Sequence, residues 1–324
     1  MKKKLLLPLL LLLVMSVISA CGNKAANDKQ AGSVSSNAGQ AANSATNSDT
    51  ASKPKAGTKT YQSESGPIEV PANPKRIVAL TNAPNVLSLN GTLVGVDEWT
   101  NKNPLFTGKL SGVKVVSPDN LEKIIELDPD LIITGTDTKN LDKLKEIAPT
   151  VAYTWGKLDY LNQQMEIGKL LNKERETQAW IDDFKQRAAE VGKEIKAKFG
   201  DNVSVSVIET DSKSFYVFGN KWARGTEVLY QAMGLSMPEK VKADAMGPGY
   251  YMLSSEVLGD YAGDFLVLSR SSKGDNSFMK TATWNNIPAV KNKHVIEIDM
   301  ESSTYSDPTT LEYLLGIFKT AFLQ

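Results

Sequence analysis

Two series of short, β-rich runs, separated by segments with helical periodicity, constrain the fold of this chain more than any other feature. The first series is RIVAL (76–80), LVGVD (93–97), VKVVS (113–117), DLIITG (130–135) and VAYTW (151–155). The second series is VSVSVIET (203–210), SFYVFG (214–219), DFLVLSR (264–270) and KHVIEID (293–299). Strands that alternate with helices favour parallel sheets, whose ligands bind beyond the carboxyl ends of the strands. The sequence therefore predicts an α/β protein with two lobes.

A single long helix is predicted between the lobes. Apolar residues from Trp180 to Ile195 recur at helical spacing, and the segment contains no proline. A helix of about 26 residues spans roughly 40 Å at about 1.5 Å per residue, which is enough to cross from one lobe to the other. We therefore expect an N-terminal lobe at 61–172, an inter-lobe helix at 173–199 and a C-terminal lobe at 200–324, with the ligand cleft between the lobes. Such a rigid connection predicts little motion on binding.

The N-terminus has the features of an export signal followed by a tether. Three lysines precede an apolar run that ends in small residues, which is the pattern of a cleaved signal peptide at 1–20. The last residues of this pattern, I-S-A-C, resemble a bacterial lipobox and predict that Cys21 is lipidated. Residues 21–60 consist mostly of Ala, Gly, Ser, Thr and Asn, so we expect a disordered polar linker. The alternative is a secreted protein with an incidental free thiol.

The charge balance and the scarcity of Cys and His exclude several classes of function. Residues 61–324 hold 29 basic and 35 acidic side chains, a net charge of −6, whereas nucleic-acid binders usually carry a basic surface. One Cys and one His in the whole chain allow no intramolecular disulfide and no multi-histidine or cysteine-based metal site. We therefore expect no nucleic-acid partner and no enzyme activity. An exported α/β hydrolase is a remote alternative, because its triad would depend on His294 without a G-x-S-x-G elbow.

Polar and aromatic residues follow the predicted strands of the first lobe. Thr81 and Asn82 follow the first strand, Glu98 and Trp99 follow the second, and Trp155 ends the last. The carboxyl ends of parallel strands meet at one edge of a sheet, where ligands bind. These residues are therefore candidates for the rim of the cleft, and we expect Asn82 and Trp99 to contact the ligand.

Several motifs occur in an order that is typical of one family. After ISAC and the polar linker come PKRIVAL (74–80), NLEKIIELDPDLII (120–133) and WNNIPAVKNKHV (284–295). Together they resemble the iron-siderophore (Fe/B12-type) substrate-binding lipoproteins of ABC importers in Gram-positive bacteria. The resemblance implies a class III periplasmic-binding-protein-like fold and a monomer held by lipid at the outer face of the cytoplasmic membrane. It also implies delivery of the ligand to an ABC permease dimer with a cytoplasmic ATPase.

Within this family, the segment SFYVFGNKWARGTEVLY (214–230) is most similar to the receptors of ferric hydroxamate siderophores. The resemblance places Tyr216, Trp222 and Arg224 in the ligand cleft, and Tyr305 on a further loop of the cleft. The siderophore already holds the iron in such a complex, so the resemblance implies no metal ligand from the protein and no cofactor. Aromatic faces suit the methylene arms of the chelator, and an arginine fork suits the hydroxamate oxygens. The alternative is that Trp222 lies in the core and Arg224 forms a surface ion pair.

Other ligands fit the same architecture, namely a catecholate siderophore, cobalamin or haem. Catecholate complexes carry a strong negative charge and would need several converging basic residues, whereas Arg224 is the one that can be placed. Haem capture commonly uses an axial His or Tyr, and Tyr216, Tyr305, Tyr250 and Tyr251 are available. The sequence therefore favours a hydroxamate complex and leaves the other ligands as alternatives.

The family resemblance also implies a surface role for two glutamates. Glu122 and Glu256 stand near the starts of predicted helices, one in each lobe, and match the residues that dock on the two permease subunits. Helix capping is the alternative for Glu122, because Asp119 and Glu122 have the spacing of a capping box.

Overall fold

The computed structural model describes residues 57–210 and 214–324. The signal peptide, Cys21 and the linker as far as residue 56 lie outside these residues. The described residues form two α/β lobes and a long helix between them.

The N-terminal lobe combines an antiparallel hairpin with a five-stranded parallel sheet. The hairpin strands are β1 (Thr58–Ser63) and β2 (Gly66–Pro71). The sheet strands are β3 (Ile77–Ala79), β4 (Leu93–Val96), β5 (Lys114–Val115), β6 (Leu131–Gly135) and β7 (Thr150–Tyr153). Their order is β5-β4-β3-β6-β7. The central strands β3 and β6 are buried along their whole length, as expected for parallel strands that are covered on both faces.

Helices cover both faces of this sheet. They are α1 (Ala83–Ser88), α2 (Glu98–Lys102), α3 (Leu121–Glu126), α4 (Leu141–Ile147) and α5 (Tyr160–Leu170), with a 3₁₀ turn at Thr107–Lys109. One core cluster contains apolar residues of α1 and α5, and the second contains Ile124 of α3 and Leu144 of α4. The alternation of strand and helix that the sequence predicted is therefore confirmed in this lobe.

The C-terminal lobe has a mixed five-stranded sheet. Its strands are β8 (Val205–Thr210), β9 (Phe215–Phe218), β10 (Tyr250–Leu253), β11 (Phe265–Arg270) and β12 (Val295–Asp299). Their order is β10-β9-β8-β11-β12, and β9 runs antiparallel to both of its neighbours. The prediction missed β10, because the glycines and proline of MGPGYY have low strand propensity. The sequence thus predicted β8, β9, β11 and β12 but missed the edge strand β10.

Short helices connect these strands, and a longer helix ends the chain. They are a π-helix (Glu227–Ala232), α7 (Glu239–Ala245), α8 (Leu258–Tyr261), α9 (Ala282–Asn285), α10 (Pro288–Lys291) and α11 (Pro308–Leu323), with 3₁₀ turns at Ser255–Val257 and Ser277–Lys280. The sequence predicted a helix over 224–233. The structure begins it at Glu227, after Thr226 as the N-cap, because Ala223, Arg224 and Gly225 have positive φ angles.

The predicted inter-lobe helix is α6, which extends from Glu174 to Phe199 over 26 residues. Phe184, Ala188, Val191 and Ile195 form its buried stripe and belong to the core of the C-terminal lobe. The N-terminal end of α6 packs against α5 of the other lobe. The predicted fold of two α/β lobes joined by one long helix is therefore confirmed. Within the described ranges, no helix combines the length and apolar composition needed to span a bilayer.

The hairpin shows that the folded body begins before residue 61. The Lys59 ammonium donates to the backbone oxygen of Lys169 at 2.5 Å and to the amide oxygen of Asn172. The Tyr61 hydroxyl donates to Glu166 at 2.7 Å. Residues 58–60 thus belong to β1, although their polar side chains resemble those of the linker before them.

Two glycines in helices give opposite predictions for the same substitution. A Cβ atom on Gly192 of α6 would lie 2.0 Å from the backbone oxygen of Met233, whereas a Cβ on Gly316 of α11 would meet nothing within 4 Å. Alanine favours a helix by about 1 kcal/mol over glycine, but overpacking costs about 1–3 kcal/mol or more when backbone must move. We expect Gly192→Ala to lower the free energy of unfolding by about 2 kcal/mol, and Gly316→Ala to raise it by up to about 1 kcal/mol. Urea denaturation measures both; stabilisation by Gly192→Ala would contradict the packing.

Candidate functional site

Segments that follow strands in each lobe meet at two points. The ring centroids of Trp155, which follows β7, and Trp222, in the C-terminal lobe, are 5.0 Å apart with an interplanar angle of 78°. The hydroxyls of Thr100, in α2, and Tyr305, which follows β12, are 3.1 Å apart. The carboxyl edge of the N-terminal sheet therefore faces the C-terminal lobe. The space bounded by these two contacts is the candidate cleft.

Three aromatic side chains form a wall of the cleft on the C-terminal lobe. The Tyr250 ring lies 5.1 Å from Trp222 and 6.1 Å from Tyr216. The family resemblance places both Tyr216 and Trp222 in the cleft, and the structure connects them through Tyr250, which is 43% exposed. Gly249 makes this possible, because a Cβ atom there would lie 2.4 Å from Cε3 of Trp222. Its φ angle of +94° is a further reason for glycine at this position.

Arg224 forms a forked ion pair with Glu209 in β8. Its Nε donates to one carboxylate oxygen at 2.9 Å and its Nη2 to the other at 3.0 Å. Its guanidinium also lies 5.3 Å from the centre of the Phe218 ring. Within the described residues, the Nη1 edge has one long contact, 3.5 Å to the backbone oxygen of Trp222. Arg224 is thus ion-paired, as the alternative predicted, although the pair is largely buried and not at the surface.

The loop that carries these residues is held in an unusual conformation. Ala223 and Arg224 have φ angles of 56° and 54°, and Gly225 has 82°. Left-handed backbone is unfavourable for residues with a Cβ atom and is often found at functional sites. The Arg224 amide donates to the Ser303 oxygen at 2.8 Å, and the Ala223 amide donates to the Glu227 carboxylate at 3.1 Å. These bonds fix the loop before any ligand arrives.

Glu227 is the buried anchor of this loop. Burial raises the pKa of its carboxyl above the ordinary value, although bonds from the Ala223 amide and the Thr226 hydroxyl act in the opposite direction. The Thr226 hydroxyl also accepts the Trp222 amide at 3.0 Å. A local network of backbone and side-chain bonds therefore surrounds Trp222 and Arg224.

Tyr305 lies at the junction of the lobes. Its ring meets Phe106 of the N-terminal lobe edge-on at 6.1 Å, and burial is the main reason that the pKa of its hydroxyl is raised. Nearby, the Asn103 amide donates to the backbone oxygen of Glu301 at 2.7 Å. Tyr305 thus joins the two lobes in addition to the ligand role that the family resemblance implies.

Asn82 and Trp99 stand at the edge that the sequence predicted, but apart from the aromatic wall. Asn82 precedes α1 with a φ angle of 57°, and its amide lies 3.2 Å from the Thr81 hydroxyl. Trp99 is 75% exposed on α2. Among the described residues, neither side chain forms a ring contact or hydrogen bond with Trp222. Their contact with a ligand stays a prediction.

The hairpin turn supports the loop of Trp155. One Glu64 oxygen accepts the Thr154 amide at 3.2 Å, and the other accepts the Thr154 hydroxyl at 2.7 Å and the Lys157 ammonium at 3.1 Å. Trp155 lies between these two residues and is 74% exposed. Sequence reasoning missed Glu64, because the hairpin itself was not predicted.

Both surface glutamates are exposed. The helix of Glu122 is capped by Asn120, whose side chain accepts the Lys123 amide at 3.1 Å. Asp119 instead pairs with Lys139 at 3.0 Å. The capping-box interpretation of Glu122 is therefore wrong, because the cap lies one residue later than the spacing indicated.

Glu256 lies in the 3₁₀ turn that precedes α8. The Ser255 hydroxyl donates to its carboxylate at 2.9 Å. The pKa of this carboxyl is lowered mainly by the Ser254 side chain. The group is thus a charged, exposed carboxylate near neutral pH.

The position of His294 and the placement of potential metal-ligating side chains bear on the hydrolase and metal-site alternatives. His294 stacks on Phe265 at 4.2 Å, and its Nδ1 lies 3.0 Å from the backbone oxygen of Asp264. Asp264 precedes β11, so His294 is at the opposite edge of the sheet from Arg224. Within residues 57–210 and 214–324, no group of three or more His, Cys, Asp or Glu side chains is placed to bind a metal ion.

Comparison with known proteins finds a matching family model and several similar proteins. Residues 79–301 match the family described as periplasmic binding protein. The chain is 34% identical over 320 residues to the iron(3+)-hydroxamate-binding protein FhuD of Bacillus subtilis (strain 168), covering 96% of this chain and 95% of that protein. It is 32% identical to the iron(3+)-hydroxamate-binding protein YxeB of the same organism, covering 98% and 96%. The structure of FhuD2 from Staphylococcus aureus with bound ferrioxamine B has a TM-score of 0.73 at 32% identity, covering 77% of this chain and 98% of that chain.

Removing the carboxylate of Glu64 should loosen the Trp155 loop. We expect Glu64→Gln to shift tryptophan emission to longer wavelength, because Trp155 loses its fixed contact with Trp222. Glu69→Gln in the same hairpin is the control, since Glu69 accepts only from Thr58 and Thr60 hydroxyls among the described hydrogen bonds. Equal spectra for wild type and Glu64→Gln would show that the loop does not depend on Glu64.

Acid should have the same effect on this loop. Burial raises the pKa of Glu64, but the bonds from Thr154 and Lys157 outweigh it, so the pKa lies below the ordinary 4.5. Ionised Glu64 therefore stabilises the fold fully above about pH 4.5, and this contribution is lost as the pH falls through the lowered pKa. An emission shift on acidification that is present in wild type and absent in Glu64→Gln is the expected result. A shift of equal size in both proteins would assign it to other groups.

Proposed function

The chain belongs to the periplasmic binding protein family, and we propose that it is an extracytoplasmic receptor that binds a ferric siderophore and delivers it to an ABC import permease. A ferric hydroxamate is the proposed ligand. The observation that carries this proposal is the wall formed by Tyr216, Trp222 and Tyr250 beside the forked Arg224. The names of the relatives, which include two iron(3+)-hydroxamate-binding proteins, support it.

The chemistry of this wall fits a chelate whose iron is already saturated. Three hydroxamates supply all six oxygen ligands, so the receptor needs faces for the carbon arms and donors for the oxygens. Aromatic rings supply large, rigid apolar surfaces, and the Nη1 edge of Arg224 supplies charge-assisted donors. We assign no catalytic step and no cofactor to the protein.

The remaining alternatives have less support from the site. A hydrolase would need His294, which lies at the edge of the sheet opposite Arg224. A haem would take an axial tyrosine, and the Tyr305 hydroxyl already contacts Thr100, which leaves Tyr216, Tyr250 and Tyr251 as candidates. A catecholate complex would need more positive charge than one arginine that is already paired. Cobalamin stays open as a ligand of the same architecture.

Substitution of the wall tests the ligand. Titration of tryptophan fluorescence with a ferric trihydroxamate measures the dissociation constant. Arg224→Ala removes a charge-assisted donor that is worth about 1.5–3 kcal/mol, so affinity should fall about 10- to 150-fold. Trp222→Ala should weaken binding to all hydroxamates by removing apolar contact area. Folded variants that bind like wild type would place the ligand elsewhere.

We further propose that Cys21 carries the lipid anchor and that the protein acts as a monomer at the outer face of the cytoplasmic membrane. A relative is named as a probable siderophore-binding lipoprotein, which supports the anchor. Cys21→Ala should release the protein into the medium, as measured by immunoblot of cell and medium fractions. A chain that begins at residue 57 should bind ferric hydroxamate normally, because β1 is then intact. Retention of Cys21→Ala at the membrane would contradict the anchor.

Glu122 and Glu256 are the proposed contacts with the permease. Both glutamates are exposed, and each lies near a cavity. The cavity beside α3, the helix of Glu122, has a volume of about 580 Å³, and the cavity that Glu256 lines has a volume of about 420 Å³. Ile125, one turn after Glu122, is 57% exposed, and exposed apolar side chains often mark contact surfaces. One glutamate in each lobe provides two points of attachment.

Charge reversal separates capture from delivery. The double variant Glu122→Arg and Glu256→Arg should keep its affinity for ferric hydroxamate and lose uptake into cells that depend on the protein. The single variants should each lose part of the uptake, because one attached lobe cannot fix the orientation. Glu190→Arg with Glu239→Arg changes the net charge equally at other exposed sites and is the control. Normal uptake by the docking variant would assign the glutamates no role in delivery.

A further inference from the structure

Glu209 is a buried carboxylate at the end of β8 that no motif of the sequence pointed to. It is 8% exposed and accepts three hydrogen bonds, two from Arg224 at 2.9 and 3.0 Å and one from the Ser269 hydroxyl at 2.6 Å. Arg224 keeps 20% of its side-chain surface exposed, compared with 10% for Glu209. The pair therefore presents the arginine to the cleft and keeps the carboxylate behind it.

We propose, resting on the function proposed above, that Glu209 determines the charge selectivity of the cleft. Its negative charge cancels that of Arg224, while two of its hydrogen bonds orient the fork so that the Nη1 edge remains for the ligand. Arg224 then acts as a directed hydrogen-bond donor without adding net charge. A cleft of this kind favours ferric chelates close to neutral over strongly anionic ones.

Other basic side chains at the carboxyl edges of the two sheets are also paired with carboxylates. Three further basic side chains that follow or end strands there also contact a carboxylate: Lys102 with Glu98 at 2.7 Å, Lys157 with Glu64 at 3.1 Å, and Arg270 with Glu297 at 2.5 Å. These pairs are more exposed and more strongly screened than the one at Arg224. Glu209 and Arg224 therefore have the largest effect on a ligand against the aromatic wall.

The sign of the effect distinguishes charge selectivity from simple support of the loop. Three catecholates on Fe(III) give a triply negative complex, whereas three hydroxamates give a neutral one. Charge interactions at partly desolvated sites are several times stronger than in bulk water. A change in the net charge of the pair should thus alter catecholate affinity much more than hydroxamate affinity. Loss of loop support alone would weaken both ligands to the same extent.

The test is a charge series at the pair. Glu209→Gln leaves it positive, Arg224→Gln leaves it negative, and the double variant is neutral like wild type. Dissociation constants for a neutral ferric trihydroxamate and a triply negative ferric tris-catecholate are measured by fluorescence titration at neutral pH. Relative to hydroxamate, we expect catecholate affinity to rise at least about tenfold in Glu209→Gln and to fall at least about tenfold in Arg224→Gln. The double variant should return to the wild-type ratio, although its hydroxamate affinity is lower.

Glu312→Gln is the matched control. Glu312 accepts two hydrogen bonds from Arg187, at 2.6 and 2.9 Å, between α6 and α11. Glu312→Gln therefore disrupts the same kind of forked ion pair away from the cleft. Its ligand ratio should equal that of wild type. The double variant leaves no unpaired charge in the protein. If Glu209→Gln fails to fold, Arg224→Gln and the double variant still test the sign of the effect on the ratio of the two affinities.

The outcomes separate this inference from the function on which it rests. Wild-type protein that does not bind the ferric trihydroxamate would overturn the proposed function. Wild-type binding together with a ratio that stays constant across the charge series would overturn only the role of Glu209. A ratio that follows the charge of the pair supports both.

Discussion

The close packing of α6 against both lobes is the constraint on which the rest of the structure depends. Near its start, Thr177 occupies space that a side chain on Gly168 of α5 would need, since a Cβ there would lie 2.3 Å from its hydroxyl. Further along, Gly192 allows the helix to approach the backbone of Met233. Because α5 belongs to one lobe and Met233 to the other, these two contacts set how the carboxyl edges of the sheets face each other. Glycine is required at both points because any other residue would separate the elements.

This frame supports a site that is largely formed in advance. The left-handed conformations of Ala223 and Arg224 are unfavourable by themselves, and the bonds to Ser303 and Glu227 compensate for that cost. A loop that is ordered before binding loses less conformational entropy when the ligand arrives. The contact between Trp155 and Trp222 adds a connection across the cleft. Together with a single connecting helix, these features are consistent with a small motion on binding.

The pair of Glu209 and Arg224 has a physical cost that argues for a role beyond stability. Removing both charges from water is expensive, and buried ion pairs are often no more stabilising than apolar residues of similar size. Here the fork also orients Arg224 beside the aromatic wall. A side chain that binds oxygen atoms through a fixed edge needs such a partner, because a free arginine would sample many rotamers.

Local features of the sequence determined the strands, the long helix and part of the site. All nine predicted strands are present, because the periodicity of side chains in a strand can be read from consecutive residues. The segment of Trp222 and Arg224 is recognisable as a motif for the same reason. The tertiary structure alone decided that Tyr250 completes the aromatic wall, that Glu209 pairs with Arg224 and that Tyr305 bridges the lobes. Those contacts depend on sheet order and on the angle between the lobes. Both result from packing between residues far apart in the chain, which no local pattern encodes.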